Sequence, residues 1–148
     1  MESSAALALG ASGGLFLIGL VTGVWKYAQM WTSEDASAHY YVNTAHRASL
    51  LYSFAALILY QFALVSQYPQ WLELLGVGVT LFFFVFAIGT YVVHGLLQDT
   101  DNQFQTPHVL GRFELPPFVV HGSMVLLIVG EIGGFGILFA GFLQAAVL

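Results

Sequence analysis

Five histidines carry most of the chemistry that this sequence could perform: His39, His46, His94, His108 and His121. The chain has no cysteine, so disulfides, zinc fingers and thiolate-held clusters are excluded. Imidazole without thiolate can still hold a metal or haem iron, or carry a proton near neutral pH. No HExxH-type spacing is present, so a metal site would have to be assembled from separate segments. Tyr91, His94 and Gln98 stand at i, i+3, i+7, which places them on one helical stripe. A phenol beside an imidazole can donate a hydrogen bond to a substrate oxygen while remaining uncharged. A second stripe is formed by Asn43, His46, Ser49 and Ser53, with Tyr52 beside it and Arg47 turned away, either toward headgroups or toward an acidic loop residue. Glu131 stands alone in Gly-Glu-Ile-Gly-Gly. It would serve either as a hydrogen-bonding group to a neighbouring helix or as a proton-handling carboxyl.

The elements that must position these residues follow from composition. Hydrophobic residues make up 58% of the 148 and charged residues only 7%, against roughly 25% charged in a soluble domain. A water-soluble globule is excluded for want of polar surface, and a disordered chain by the apolar content. Three basic residues cannot neutralise a phosphate backbone, so nucleic acid is excluded as a partner. The lipid bilayer is the expected surrounding.

Four apolar runs are long enough to cross it. They extend from Ala5 to Trp31, from Thr44 to Gln67, from Trp71 to Leu97, and from Pro116 or Pro117 to the C-terminus, with Tyr68, Pro69 and Gln70 as a tight turn. The first lacks a basic leader segment and reads as a span, not as a cleavable signal. The expected fold is all-α: a polytopic membrane protein with one domain over residues 1–148, an antiparallel bundle of four transmembrane helices. Parity puts Lys26, Arg47 and Arg112 on the side of the two longer loops, which the positive-inside rule makes cytoplasmic.

The five histidines gather toward that same side. His46, His94 and His121 fall at similar depth on three helices, which predicts a shared site for a metal, for haem or for acid–base work. Trp25, Tyr27 and Trp31 close the first helix as an interfacial aromatic belt. Gly10 and Gly14, Gly19 and Gly23, and Gly130 and Gly134 are each spaced four apart. Small residues at this spacing let helices approach closely in lipid.

Asn43-Thr44-Ala45-His46, Gly89-Thr90-Tyr91 and Gly23-Val24-Trp25 resemble segments of the styrene oxide isomerase group of small four-helix membrane proteins. Hydroxylaminobenzene mutase has a similar Ala-His opening to a helix. The resemblance spans all four helices in layout and rests on these short segments. It implies a homo-oligomer, a trimer, that binds haem b near its subunit interfaces. His46 would be the axial ligand, with Trp25 of the third matching segment on the cofactor side; His94 and His121, at like depth, are the competing cofactor-binding candidates. The haem iron would act as a Lewis acid on an apolar epoxide or similar small substrate and yield a carbonyl product. Tyr91 would orient the substrate, with Tyr52 and Asn43 as its companions. Tyr52 stands where the group has an asparagine, and His94 and His121 have no counterpart in it. Two axial histidines would make a non-enzymatic haem electron carrier, or an accessory subunit of a membrane complex, which is the alternative expectation. A non-haem metal held by His46, His94 and His121 is a third. The expected location is a bacterial inner (cytoplasmic) membrane, crossed several times.

Overall fold

A computed structural model describes residues 2–147. Its four long helices are α1 (Ser3–Thr32), α2 (Tyr40–Val65), α3 (Gln70–Leu97) and α4 (Pro117–Val147). Each is long and apolar enough to cross a membrane, and the chain is a multi-pass integral membrane protein. Charged side chains are rare in the helices, one in each (Lys26, Arg47, Glu73 and Glu131), because charge is costly in hydrocarbon, and the helices satisfy interior backbone groups within the segment.

Helix α2 starts four residues before the expected Thr44. The reason is local. His39 caps it, accepting the Tyr41 N–H at Nδ1 over 3.3 Å, and this recruits Tyr40–Asn43 into the first turn. Its other end stops at Val65, and Ser66–Pro69 turns the chain, because Pro69 cannot continue a preceding helix. Pro117 opens α4 at a position where its missing N–H costs nothing.

Helices α2 and α3 pack on each other, and each also packs on both α1 and α4, which take the outer corners. The core is a column of Ala5, Ala8 and Leu15, then Ala56, Leu59 and Ala63, then Val77, Leu81, Phe84 and Ile88, closed by Leu138. Alanines on α1 and α2 let those two helices lie close.

The glycine pairs divide between two uses. Gly19 and Gly23 are spent on the α1–α2 contact, where an added Cβ would meet Leu50 and His46. Gly130 and Gly134 are spent on α3–α4, against Phe83, Thr80 and Gly76. Gly10, Gly13 and Gly14 have nothing within 4 Å.

At the α3–α4 contact a Cβ on Gly134 would sit 2.7 Å from the Gly76 carbonyl oxygen, and backbone cannot yield as a side-chain tip can. Gly134→Val is therefore expected to force the two helices apart. The cost is at least about 1–3 kcal/mol, typical of overpacking, and is read as a lowered midpoint of thermal unfolding in detergent. Gly133→Ala, with nothing within 4 Å, should leave the midpoint unchanged. Equal midpoints for both variants would contradict this packing.

Between α3 and α4 the chain forms a short antiparallel hairpin, β1 (Val109–Leu110) with β2 (Phe113–Glu114). Gly111 takes φ +61° at its turn, a conformation open to glycine because it lacks Cβ. This hairpin was not expected from hydropathy.

Candidate functional site

A cavity of about 560 Å³ lies between α3, α4 and the hairpin. Tyr52, Tyr91, His94, His108 and Ser123 line it, in a mostly apolar wall that includes Phe86, Leu115, Met124 and Leu127. Val120, Met124 and Leu127 follow helical spacing along α4, and Glu131 continues the same stripe one turn deeper. The hairpin roofs the cavity with Val109 and Leu110. A mostly apolar hollow with a few polar groups is the usual form of a small-molecule site.

His94 is buried, with 5% of its surface exposed. Its Nδ1 lies 2.8 Å from Asp99 Oδ1, and Asp99 Oδ2 accepts the Gly111 N–H over 2.6 Å. Burial alone would raise the Asp99 carboxyl. The Gly111 N–H and the His94 imidazole outweigh that and hold it below the usual carboxylate range. Asp99 is thus ionised at neutral pH and only accepts, so His94 Nδ1 carries a proton, and in the neutral imidazole the lone pair lies on Nε2. Gln98 leaves the expected stripe, because it ends α3 in the left-handed conformation and points away, exposed. The segment expected as a solvated helix end instead buries Asp99, whose side chain is 5% exposed.

Tyr91 stacks on Tyr41 with ring centres 5.9 Å apart, and Tyr41 also packs on the His94 ring at 5.0 Å. The Tyr41 hydroxyl accepts the Gln103 N–H over 2.6 Å, which ties α2 to the loop behind the cavity. Tyr52 stacks flat on Phe84, at 4.2 Å and 4°. Neither the Tyr52 nor the Tyr91 hydroxyl makes a hydrogen bond among the described residues.

His46 lies elsewhere. Its Nδ1 is 2.8 Å from the Gly19 carbonyl oxygen on α1, and a Cβ on Gly23 would come within 2.8 Å of its Cε1. A carbonyl only accepts, so Nδ1–H donates and Nε2 is left with a lone pair. An imidazole oriented by a backbone carbonyl through one nitrogen leaves the other able to ligate a metal, so His46 Nε2 is the atom of this segment that could hold one. His121 is exposed and packs edge-on against His108, with ring centres 5.4 Å apart. The three histidines expected to share one site therefore do not converge within the chain. Similar depth along three helices does not set the direction around each axis. No group of three metal-binding side chains assembles among the described residues, so the triad of His46, His94 and His121 is not formed.

Comparison with known protein families, curated proteins and solved structures finds no match.

The remaining expected residues scatter. Asn43 lines a shallow groove with Lys26, His39 and Asp101, where His39 Nε2 lies 3.2 Å from Asp101. Trp25 lies over Gly95 on α3, whose added Cβ would meet its ring at 2.9 Å. It is partly buried, while Tyr27 and Trp31 stay exposed as an interfacial belt requires. Ser49 and Ser53 donate to carbonyls of their own helix, and the Ser53 carbonyl accepts from Ser12 of α1 over 2.9 Å. Glu131 Oε1 is buried without a partner among the described residues, so it makes no bond to a neighbouring helix through that oxygen.

Sequence reasoning missed three groups. Tyr41 precedes the apolar run that starts at Thr44, yet it lies in the first turn of α2. His108 is 3% exposed, with Nδ1 held 3.1 Å from the Gln103 carbonyl oxygen. Its position in a polar loop gave no sign of burial. Glu73, near the far membrane face, is 2% exposed and accepts from Ser4 over 3.0 Å. Its partner is 69 residues away.

Proposed function

We propose that this protein is a membrane-embedded isomerase that takes a small apolar epoxide from the bilayer and rearranges it to a carbonyl product, with haem b held by His46. The observation that carries the reading is the apolar cavity with two unengaged phenols, Tyr52 and Tyr91, in its wall. A hollow opening among lipid-facing helices suits a ligand that partitions into hydrocarbon. The free Nε2 of His46, together with the resemblance of its segment, supports the haem. Bound there, haem supplies an iron that can polarise an oxygen without proton transfer.

The chain's own residues perform the rest. Tyr91 donates a hydrogen bond to the substrate oxygen. Its ring is fixed by the stack on Tyr41, so the hydroxyl need not be ordered at the moment of reaction. Tyr52, held by Phe84, shapes the wall and offers a second hydroxyl. The hairpin keeps loop-side water from the cavity. The Gly19 carbonyl fixes the orientation of the His46 ring.

Within one chain His46 lies outside the cavity lining, so the reading needs a neighbouring copy. A trimer follows the resemblance. Open surface for it exists at Gly10, Gly13 and Gly14 on α1 and at exposed Val125, Leu126, Val129 and Ile132 on α4. Placement in a bacterial inner membrane, with Lys26, Arg47 and Arg112 at the cytoplasmic face, belongs to the same reading.

The test uses protein purified in mild detergent. It should show a Soret band, run as three copies in native mass spectrometry, and convert styrene oxide to phenylacetaldehyde by gas chromatography. Protein with neither a Soret band nor conversion would refute the proposal.

A further inference from the structure

The His94–Asp99 pair is not used by the reaction proposed above, and its geometry is too constrained to be idle. His94 Nδ1–H is committed to Asp99 Oδ1 at 2.8 Å. Asp99 cannot turn away, because its other oxygen holds the Gly111 N–H at 2.6 Å and the hairpin turn sets Gly111 in place. In the neutral imidazole the lone pair of His94 is therefore locked onto Nε2. His94 lines the cavity, and Nε2 makes no hydrogen bond among the described residues. One turn earlier on the same face, Tyr91 also lines the cavity, with a hydroxyl free to donate. Side chains three apart on a helix stand roughly 5–6 Å from each other at Cβ. Tyr91 and His94 thus stand as a donor and an acceptor side by side, in a mostly apolar wall that also carries Tyr52, Ser123 and His108, whose buried Nε2 has no partner among the described residues.

We infer that the cavity selects a small apolar epoxide that also carries a hydroxyl group, the ring oxygen accepting from Tyr91 and the hydroxyl donating to His94 Nε2. The inference rests on the cavity being the substrate site. A simple aryl epoxide would desolvate Nε2 and leave it unpaired, which lowers affinity. An epoxy alcohol satisfies both groups. Asp99 is a positioning residue in this scheme, because it fixes the nitrogen on which the proton sits.

The probes are unreactive cyclic ethers, so binding is read apart from turnover: phenyl-substituted tetrahydrofurfuryl alcohol and its O-methyl ether, titrated calorimetrically into the purified full-length protein. The alcohol should bind about five- to tenfold tighter than the ether, the worth of one hydrogen bond. His94→Phe should abolish that preference while still binding both. In Asp99→Asn the Gly111 N–H still requires the amide oxygen, so the Asn NH2 faces His94 Nδ1. The imidazole proton then moves to Nε2, which becomes a donor, and the preference for the alcohol should vanish or reverse. Each variant is judged by the ratio of two ligands, which partial unfolding does not alter. Equal affinity of the wild type for the two ligands overturns the inference and leaves the cavity as substrate site. A preference that survives His94→Phe overturns the assignment to His94. Failure of both ligands to bind the wild type overturns the cavity reading as well.

Discussion

His46→Ala is expected to yield protein without a Soret band, the largest single effect in this molecule. The imidazole is the only protein bond to iron that the proposed site offers, and its Nδ1–H is tethered 2.8 Å from the Gly19 carbonyl oxygen. Loss of even an orienting partner of a metal ligand typically costs about 10–100-fold in affinity, and loss of the ligand itself costs more. Gly23→Ala should give an intermediate result, because its Cβ would lie 2.8 Å from His46 Cε1 and the ring would have to shift. His94→Ala and His121→Ala should keep the band, since the structure places them on Asp99 and His108. Far-ultraviolet circular dichroism of His46→Ala should remain helical, because the side chain is only half-buried. A full Soret band in His46→Ala, together with its loss in His94→Ala or His121→Ala, would end both the assignment and the carry-over from the resemblance.

Tyr91→Phe is expected to keep the haem band and lose most of the turnover. The variant retains the ring that stacks on Tyr41 at 5.9 Å, so the wall of the cavity stays in place. Only the hydroxyl is lost. Removal of one preorganised donor from a transition state costs roughly 2–4 kcal/mol, or about 10²–10³ in kcat. The change should fall on kcat more than on KM, because the hydrogen bond strengthens as charge develops on the oxygen. Tyr52→Phe should be milder, since its ring face is already engaged by Phe84 and Tyr91 still supplies its hydroxyl. Unchanged turnover in Tyr91→Phe would remove the tyrosine from the reaction.

The scatter of the sequence-expected residues has one cause. Depth in the membrane is readable by counting along each helix, so the gathering of histidines toward the loop side was legible. Rotation about each helix axis depends on which neighbour the helix meets. His46 turned to α1 because Gly19 and Gly23 open a groove there. His94 turned to the loop because Asp99 follows α3 through a left-handed Gln98. Tyr91 and His94 stayed together because three residues on one helix fix their relation without any neighbour.

The sequence by itself determined the membrane environment and the four spans, because the cost of charge in hydrocarbon acts residue by residue. Helix ends at proline-bearing turns were legible for the same local reason, whereas the His39 cap displaced the start of α2 through a side-chain bond that hydropathy does not register. Tertiary structure alone decided which glycines serve the bundle and which lie open. It also decided the burial of Glu73 against Ser4 and of Asp99 against His94, and the closing of the cavity by a hairpin. Each of these joins residues from different segments, and such contacts depend on how the helices rotate and pack, which no single stretch of chain specifies.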